Sequence, residues 1–302
     1  VVILDEDAVH RLLHFPDLIP VMAGALADLS AGRVVQPVRS ILPVAPHHGF
    51  FGVMPAYAGA LGAKLVTFYP GNRGIPTHHA VILLFRPETG EPLAFMDGRL
   101  ITEMRTGAVS AVATRLLARE DASVLAILGS GVQARSHLEA LRLVRQFREV
   151  RVWSPHNAAA FAEHHRVTAA ATPEAAVRGA DVVVVATSAR TPVLRGEWLA
   201  PGTHVNAVGA VRPEWRELDD EVLSRASLYV ESREAARQES GDVMAAVEIT
   251  AELGEVLAGA RPGPRPGSDI TLFKSVGVAV EDVAAAALVY GSLQGSAAAD
   301  SP

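Results

Sequence analysis

The sequence contains no cysteine. Disulfides, zinc–thiolate centres and a cysteine nucleophile are therefore excluded. It has no excess of basic charge: 27 Lys and Arg stand against 33 Asp and Glu, a formal net charge of −6. Nucleic-acid binding needs clustered Lys and Arg, and no run of like charge is present, so no nucleic-acid partner is expected. No apolar run approaches the roughly 18 residues of a membrane span. The first residues, Val1-Val2-Ile3-Leu4-Asp5-Glu6, lack a signal-peptide pattern. No membrane partner and a cytoplasmic location are the expectations. No internal repeat is visible. The one loop-like low-complexity stretch is the Pro- and Gly-rich segment 259–268.

What is present is length and apolar content. The 302 residues, 49% of them apolar, suit two domains, each of roughly 100–200 residues. The first part mixes short helices and strands. Segment 81–85 reads as a buried strand, 88–91 as a turn and 92–96 as the return strand. A small-residue helix is expected over 106–119. From Ala122 strands and helices alternate. Strands are expected at 124–128, 149–153, 181–186, 203–208 and 227–230, with helices after the first two. The four valines within 181–186 read as a strand buried on both faces. This alternation implies a parallel sheet with right-handed crossovers. The tail, 280–293, reads as an Ala-rich helix that returns to the first domain.

The central motif is Gly129-Ser130-Gly131-Val132-Gln133-Ala134. Gly129 suits a tight turn, Gly131 the approach of backbone to a pyrophosphate, and Ala134 a close helix–strand crossing. The helix N-terminus offers N–H groups and positive dipole to phosphates. An apolar strand before it and an amphipathic helix after it raise its specificity. The next strand ends in Trp153-Ser154-Pro155-His156-Asn157. No acid is there to hold a ribose 2′-hydroxyl or repel a 2′-phosphate, and Ser154 and His156 are able to hydrogen-bond one. NADP(H) is expected ahead of NAD(H). The pairs His47-His48, His78-His79 and His164-His165 lack metal-ligand spacing, and no metal is expected.

Several separated motifs resemble one family. They include Gln36-Pro37-Val38-Arg39, Gly52-Val53-Met54-Pro55-Ala56-Tyr57, Lys64-Leu65-Val66-Thr67-Phe68-Tyr69, Met96-Asp97-Gly98 and Arg105-Thr106. Further on come Asn206-Ala207-Val208-Gly209-Ala210, Arg212-Pro213-Glu214-Trp215, Glu239-Ser240-Gly241-Asp242 and Phe273-Lys274-Ser275-Val276-Gly277. Together they are similar to the ornithine cyclodeaminase/mu-crystallin family, and the second half is most similar to its mu-crystallin branch. The resemblance spans nearly the whole chain. It implies an α/β fold with a Rossmann doubly wound parallel sheet over 111–277. A second, α+β substrate and dimerisation domain would comprise 1–110 with 278–302. It also implies a homodimer and nicotinamide-dependent chemistry on amino acids or their imines.

Residue by residue, the resemblance places Arg39 and Arg105 as a carboxylate clamp, which suits the planar guanidinium fork. Lys64 stands in the apolar frame Ala63-Lys64-Leu65-Val66. An unpaired ammonium is costly to bury, so it points to a partner or to catalysis. By the resemblance its expected tasks are to orient the carboxylate and to influence protonation of the imine nitrogen, as the acid itself or through a water it holds. Glu239 is expected near the ligand, pairing with a substrate amine or with Lys64. Met54 and Val211 complete the expected substrate set. The expected cofactor set is Gly129, Ser130, Gly131, Val132, Gln133, Ser154 and His156, together with Thr77, His78 and Arg105. Thr187, Ser188, Asn206, Val208, Ser275 and Gly277 extend it. Cyclodeaminases of the family carry an acid where this chain has Val211, which argues against ammonia release from ornithine. The leading expectation is reduction of a cyclic ketimine carboxylate. Alternatives are an amino-acid dehydrogenase or open-chain imine reductase, a cyclodeaminase, and a non-catalytic ligand binder.

Overall fold

The computed structural model describes residues 1–299 apart from 247 and 266, with side chains as far as residue 295. Contacts divide the chain into two compact units, Val1–Arg105 with Gly277–Pro302, and Thr106–Val276. The tail of the expected first domain, residues 300–302, lies outside the described residues.

The first unit opens with strand β1 (Val2–Leu4) and helices α1 (Glu6–Leu12) and α2 (Phe15–Ser30). Asp5 starts α1 by accepting the Ala8 N–H, one of the donors a helix start leaves unmet. α2 buries Leu18, Ile19, Met22 and Leu26 at helical spacing. Five strands follow: β2 (Ser40–Val44), β3 (Gly49–Tyr57), β4 (Leu61–Phe68), β5 (His78–Phe85) and β6 (Pro92–Asp97). The sheet order is β1-β6-β5-β4-β3-β2, antiparallel except where β1 joins β6. Strand side chains alternate between faces, and Met54, Lys64 and Ile82 lie in register across β3, β4 and β5. All three are buried, on the face covered by the C-terminal helix α11 (Ala279–Ala299), which also packs on α2. Gly62 permits that approach: a Cβ there would meet Leu83 O at 2.6 Å and Val283 at 3.3 Å. The opposite face, with Phe51, Val53, Leu65 and Val81, is only half buried.

Helix α3 runs Arg99–Leu117, starting earlier than the expected 106–119. Asp97 accepts the Leu100 N–H at 3.0 Å and so starts the helix ahead of Arg105 rather than behind it.

The second unit alternates strand and helix: β7 (Val124–Leu128), α4 (Val132–Arg142), β8 (Glu149–Trp153), α5 (Ala158–His165), β9 (Thr168–Ala169), α6 (Pro173–Val177) and β10 (Val182–Val185). Then come β11 (His204–Ala207), α7 (Asp220–Arg225), β12 (Ala226–Val230), α8 (Arg233–Glu239), α9 (Gly241–Ala245), β13 (Ala251–Glu252), α10 (Leu253–Leu257) and β14 (Ile270–Lys274). All pairs in the sheet are parallel, in the order β13-β12-β14-β11-β10-β7-β8-β9. The chain moves outward from β7 to β9, then returns to β10 on the other side of β7. Open parallel sheets bind ligands at such a reversal, here the carboxyl ends of β7 and β10. β14, absent from the sequence-based expectation, inserts between β11 and β12 and is buried throughout.

Candidate active site

Three cations converge in the first unit. Lys64 projects from β4 and is 2% exposed. Arg105 projects from α3 and is equally dry, and Arg39 lies just ahead of β2. They gather at the start of α11. Lys64 Nζ lies 2.7 Å from Asp282 Oδ2, and Arg105 Nε donates to Asp282 Oδ1 at 3.1 Å. Arg105 Nη1 donates to Glu281 Oε2 at 2.7 Å, and Arg39 Nη2 donates to the Gly277 carbonyl. Gln36 accepts the Val280 N–H at 2.8 Å, so the Gln36-to-Arg39 motif fastens the first turn of α11. Gly277 has φ +73, and a Cβ there would meet Arg105 Nη1 at 2.3 Å. Glycine is required because the guanidinium lies against the backbone.

The charges set each other's proton affinity. Burial lowers Lys64 to about 8; Asp282 opposes this, while Arg105 and Arg39 reinforce it. Burial pushes the Asp282 carboxyl upward, but Lys64, Arg105 and Arg39 outweigh burial and hold it below the usual carboxylate range. His78, at the start of β5, is lowered to about 3 by burial, then by Lys64 and Arg105, so it is neutral at working pH. Met54 is the cross-strand neighbour of Lys64 and walls the same face. Thr77 is exposed one residue ahead of β5. Within the first unit the carboxylate in contact with Lys64 is Asp282. Glu239 is a buried residue at the end of α8 in the second unit. Asp282 and Glu281 were missed. Their signal was a pair of acids in the apolar frame Val278-Ala279-Val280 and Val283-Ala284-Ala285.

In the second unit the two motif glycines serve different needs. Gly129 has φ +119, and a Cβ would meet Ala186 O at 2.2 Å, so its own chain demands glycine. A Cβ on Gly131 would meet nothing within 4 Å. Its reason to be glycine therefore lies in what occupies that open space. Gly131 caps α4 with no side-chain hydrogen bond, leaving first-turn N–H groups to a ligand. Gln133 Oε1 is buried with no hydrogen-bond partner among the described residues. Ala134 is fully buried where the helix crosses the sheet, and Val132 is exposed at the rim. Ser130 and Ser154 hydroxyls meet at 2.8 Å, and Ser154 Oγ accepts the Asn157 N–H at 3.1 Å. His156 is exposed beside them. This turn fits a dinucleotide pyrophosphate, which Gly131 and the α4 N-terminus would hold.

The other expected cofactor residues have these partners within the chain. Asn206 does not face solvent: it is fully buried and donates to Thr114 Oγ1 of α3 at 2.9 Å. The Thr187 hydroxyl and N–H both donate to Glu217 Oε1, at 2.6 and 3.0 Å. Val208 follows β11 and donates its N–H to Val185 O at 2.9 Å. Ser275 is buried just past β14; Ser188 is exposed and Val211 half buried. Glu217 belongs to a second buried cluster that sequence reasoning did not identify. Lys274 Nζ lies 3.9 Å from Glu217, 3.6 Å from Asp242, and donates to the Gly209 carbonyl. Asp242 in turn accepts the Glu217 and Leu218 N–H groups, each at 3.1 Å. Burial raises Glu217 to about 7, against Lys274 and the Thr187 hydrogen bonds.

Known proteins are similar to this chain along nearly its whole length. The description "Ornithine cyclodeaminase/mu-crystallin family" matches residues 1–297. The ketimine reductase mu-crystallin of Mus musculus is 52% identical over 288 residues, covering 91% of each chain. The structure of Thermococcus litoralis Delta(1)-pyrroline-2-carboxylate reductase, in complex with NADH and L-proline, superposes with TM-score 0.95 at 39% identity, covering 98% of each chain. An archaeal alanine dehydrogenase dimer with bound NAD superposes with TM-score 0.93 at 35% identity, covering 98% of this chain and 97% of that one.

Proposed function

The chain belongs to the ornithine cyclodeaminase/mu-crystallin family, and from that premise we propose that it reduces cyclic imino acids with a nicotinamide dinucleotide. The substrate class is a ketimine carrying a carboxylate on the imine carbon, such as pyrroline- or piperideine-2-carboxylate. The observation that carries the reading is the convergence of Arg39, Lys64 and Arg105 in a chain that also builds a dinucleotide turn. The two guanidiniums fix the carboxylate, Arg105 being held rigidly by Glu281 and Asp282. The dinucleotide, when bound, supplies hydride to the imine carbon. The imine nitrogen takes a proton, for which Lys64 is the acid. With a value of about 8, Lys64 is charged at neutral pH yet acidic enough to release the proton. Hydride transfer needs the reacting carbons in near contact, so the grip on the carboxylate contributes by positioning. Val211 supplies no carboxylate for handling an ornithine amine, which disfavours the cyclodeaminase reading.

The finer assignments follow the same logic. No acid ends β8 to repel a 2′-phosphate, so NADPH is accepted and preferred over NADH. The half-buried outer face of the first sheet, with Phe95 38% exposed and Leu42 61% exposed, receives a second copy of the chain. Phe95→Asp is expected to give a monomer by sedimentation; an unchanged dimer would reject that surface.

A stopped assay of NADPH and NADH oxidation tests the function. Its panel is Δ1-pyrroline-2-carboxylate, Δ1-piperideine-2-carboxylate, and pyruvate with ammonia or methylamine. Rapid oxidation with the cyclic imines supports the reading. Oxidation with pyruvate and ammonia alone would make the chain an amino-acid dehydrogenase, and none across the panel would reject reduction altogether.

A further inference from the structure

We propose that Asp282 is a positioning residue for this reaction: its buried carboxylate keeps Lys64 a charged acid and fixes the ammonium beside Arg105. The inference rests on the imine-reductase reading, which gives Lys64 the proton to deliver. The geometry carries it. Lys64 Nζ lies 2.7 Å from one Asp282 oxygen, and Arg105 Nε lies 3.1 Å from the other. Asp282 is fully buried and Lys64 almost so, which leaves water little part in stabilising either charge. The groups facing Lys64 are Asp282 from α11, Arg105 from α3, Arg39 ahead of β2, and His78 from β5. The two guanidiniums are permanent cations and repel an ammonium. His78 is neutral, because burial lowers it to about 3. Burial opposes the Lys64 charge as well. Asp282 is the group that opposes all of these, and the cations it touches keep it ionised.

In the step itself a Lys64 N–H bond breaks as an N–H bond forms on the imine nitrogen, while hydride reaches the adjacent carbon. Lys64 is left neutral and is recharged by water after product leaves. Without the Asp282 charge, Lys64 would stand neutral before the step and have no proton to give.

The chain's two lysines, Lys64 and Lys274, make the readout direct. Enzyme labelled with 13C at lysine Cε gives two signals, and Lys64→Arg assigns the Lys64 one. The expected result is that Lys64 titrates near 8 in the parent, and about one to three pH units lower in Asp282→Asn, as loss of an adjacent opposite charge dictates. The pH profile of kcat for Δ1-pyrroline-2-carboxylate should fall above the same value and shift with it. Asp282→Glu, which keeps the charge, should restore the limb even if kcat is reduced. A purely structural Asp282 would lower the active fraction at every pH without moving either curve, and that result overturns the proposal. Should Asp282→Asn not fold, the parent and Asp282→Glu decide: a Lys64 that is neutral at pH 7 in the parent overturns it, and a cationic one in both supports it. A parent that reduces no imine, with the Lys64 shift intact, would reject the reductase reading and not the coupling.

Discussion

Lys64 and Lys274 are both buried, one in each unit, and each lies in a cluster of buried charge: Arg105, Glu281 and Asp282 around the first, Glu217 and Asp242 around the second. In the first unit two cations, Lys64 and Arg105, share one carboxylate, Asp282. In the second, two carboxylates, Glu217 and Asp242, share one cation, Lys274. Lys64 falls to about 8, while Asp282 stays below the usual carboxylate range. Glu217 rises to about 7, and Asp242 rises as well, burial being the main cause in both. Burial of the ammonium, with two guanidiniums beside it, makes a proton donor that works near neutrality; burial of the carboxylates around Lys274 makes a brace. The brace joins Thr187, Gly209 and Leu218, which lie around the carboxyl ends of β10 and β11.

The largest effect that would break the comparison comes from removing either ammonium. Lys274→Met removes the buried cation between Glu217 and Asp242, leaving the partly exposed Arg216 near Asp242, and is expected to cost about 3–5 kcal/mol of stability, read by urea denaturation. Lys64→Met leaves Asp282 on Arg105, so its melting should change far less. Its kcat should instead fall about 10²–10⁴-fold, the usual contribution of a positioned acid. Equal stability losses in the two variants would erase the distinction.

Next in size is the pH response, whose sign differs between the clusters. Glu217 binds its proton more tightly when folded, at about 7 against 4.5. The stability this gives is fully present below 4.5 and is lost as pH rises to about 7, a change of roughly 3 kcal/mol. Glu217→Gln should abolish that decline. Lys64 binds its proton less tightly when folded, so stability rises from about 8 toward 10.5, and Lys64→Met should abolish the rise. His78, His137 and His204, buried neutral at about 3, 4 and 3, lower stability as pH falls below 6.5 in parent and variants alike. The difference between parent and variant denaturation midpoints isolates each group.

The smallest effects come from two glycines. Gly277→Ala pushes a methyl to 2.3 Å from Arg105 Nη1, so it should raise KM for the imine by about tenfold, the worth of one weakened charged hydrogen bond. Gly209→Ala meets Glu217 Oε1 at 2.3 Å and should cost about 1–3 kcal/mol of stability, as overpacking does. A Gly209→Ala effect confined to KM would contradict the division between site and brace.

What the sequence made legible follows from the range of the forces involved. β7 and β8 fall at the expected 124–128 and 149–153 because a continuous apolar run bounded by turns is a local signal. The glycine turn was legible for the same reason. β14 was not, since Ile270-Thr271-Leu272-Phe273-Lys274 becomes a strand through pairing with β11 and β12, both distant in sequence. Lys64, Arg39 and Arg105 were named from motifs and the apolar frame around Lys64. Asp282 carried the same kind of signal but sits in the first turn of a helix, where an acid ordinarily faces solvent and complements the dipole. Its partners come from β4 and α3, and that meeting depends on α11 lying across the sheet.

The most direct measurement follows the hydrogen. Δ1-pyrroline-2-carboxylate is reduced with dinucleotide deuterated at both C4 positions, and the proline formed is examined by mass spectrometry and NMR. One deuterium on the carbon bearing the carboxylate, formed by the parent and suppressed by Lys64→Met, is the predicted result. Proline without the label, or no proline from a folded parent enzyme, would contradict it.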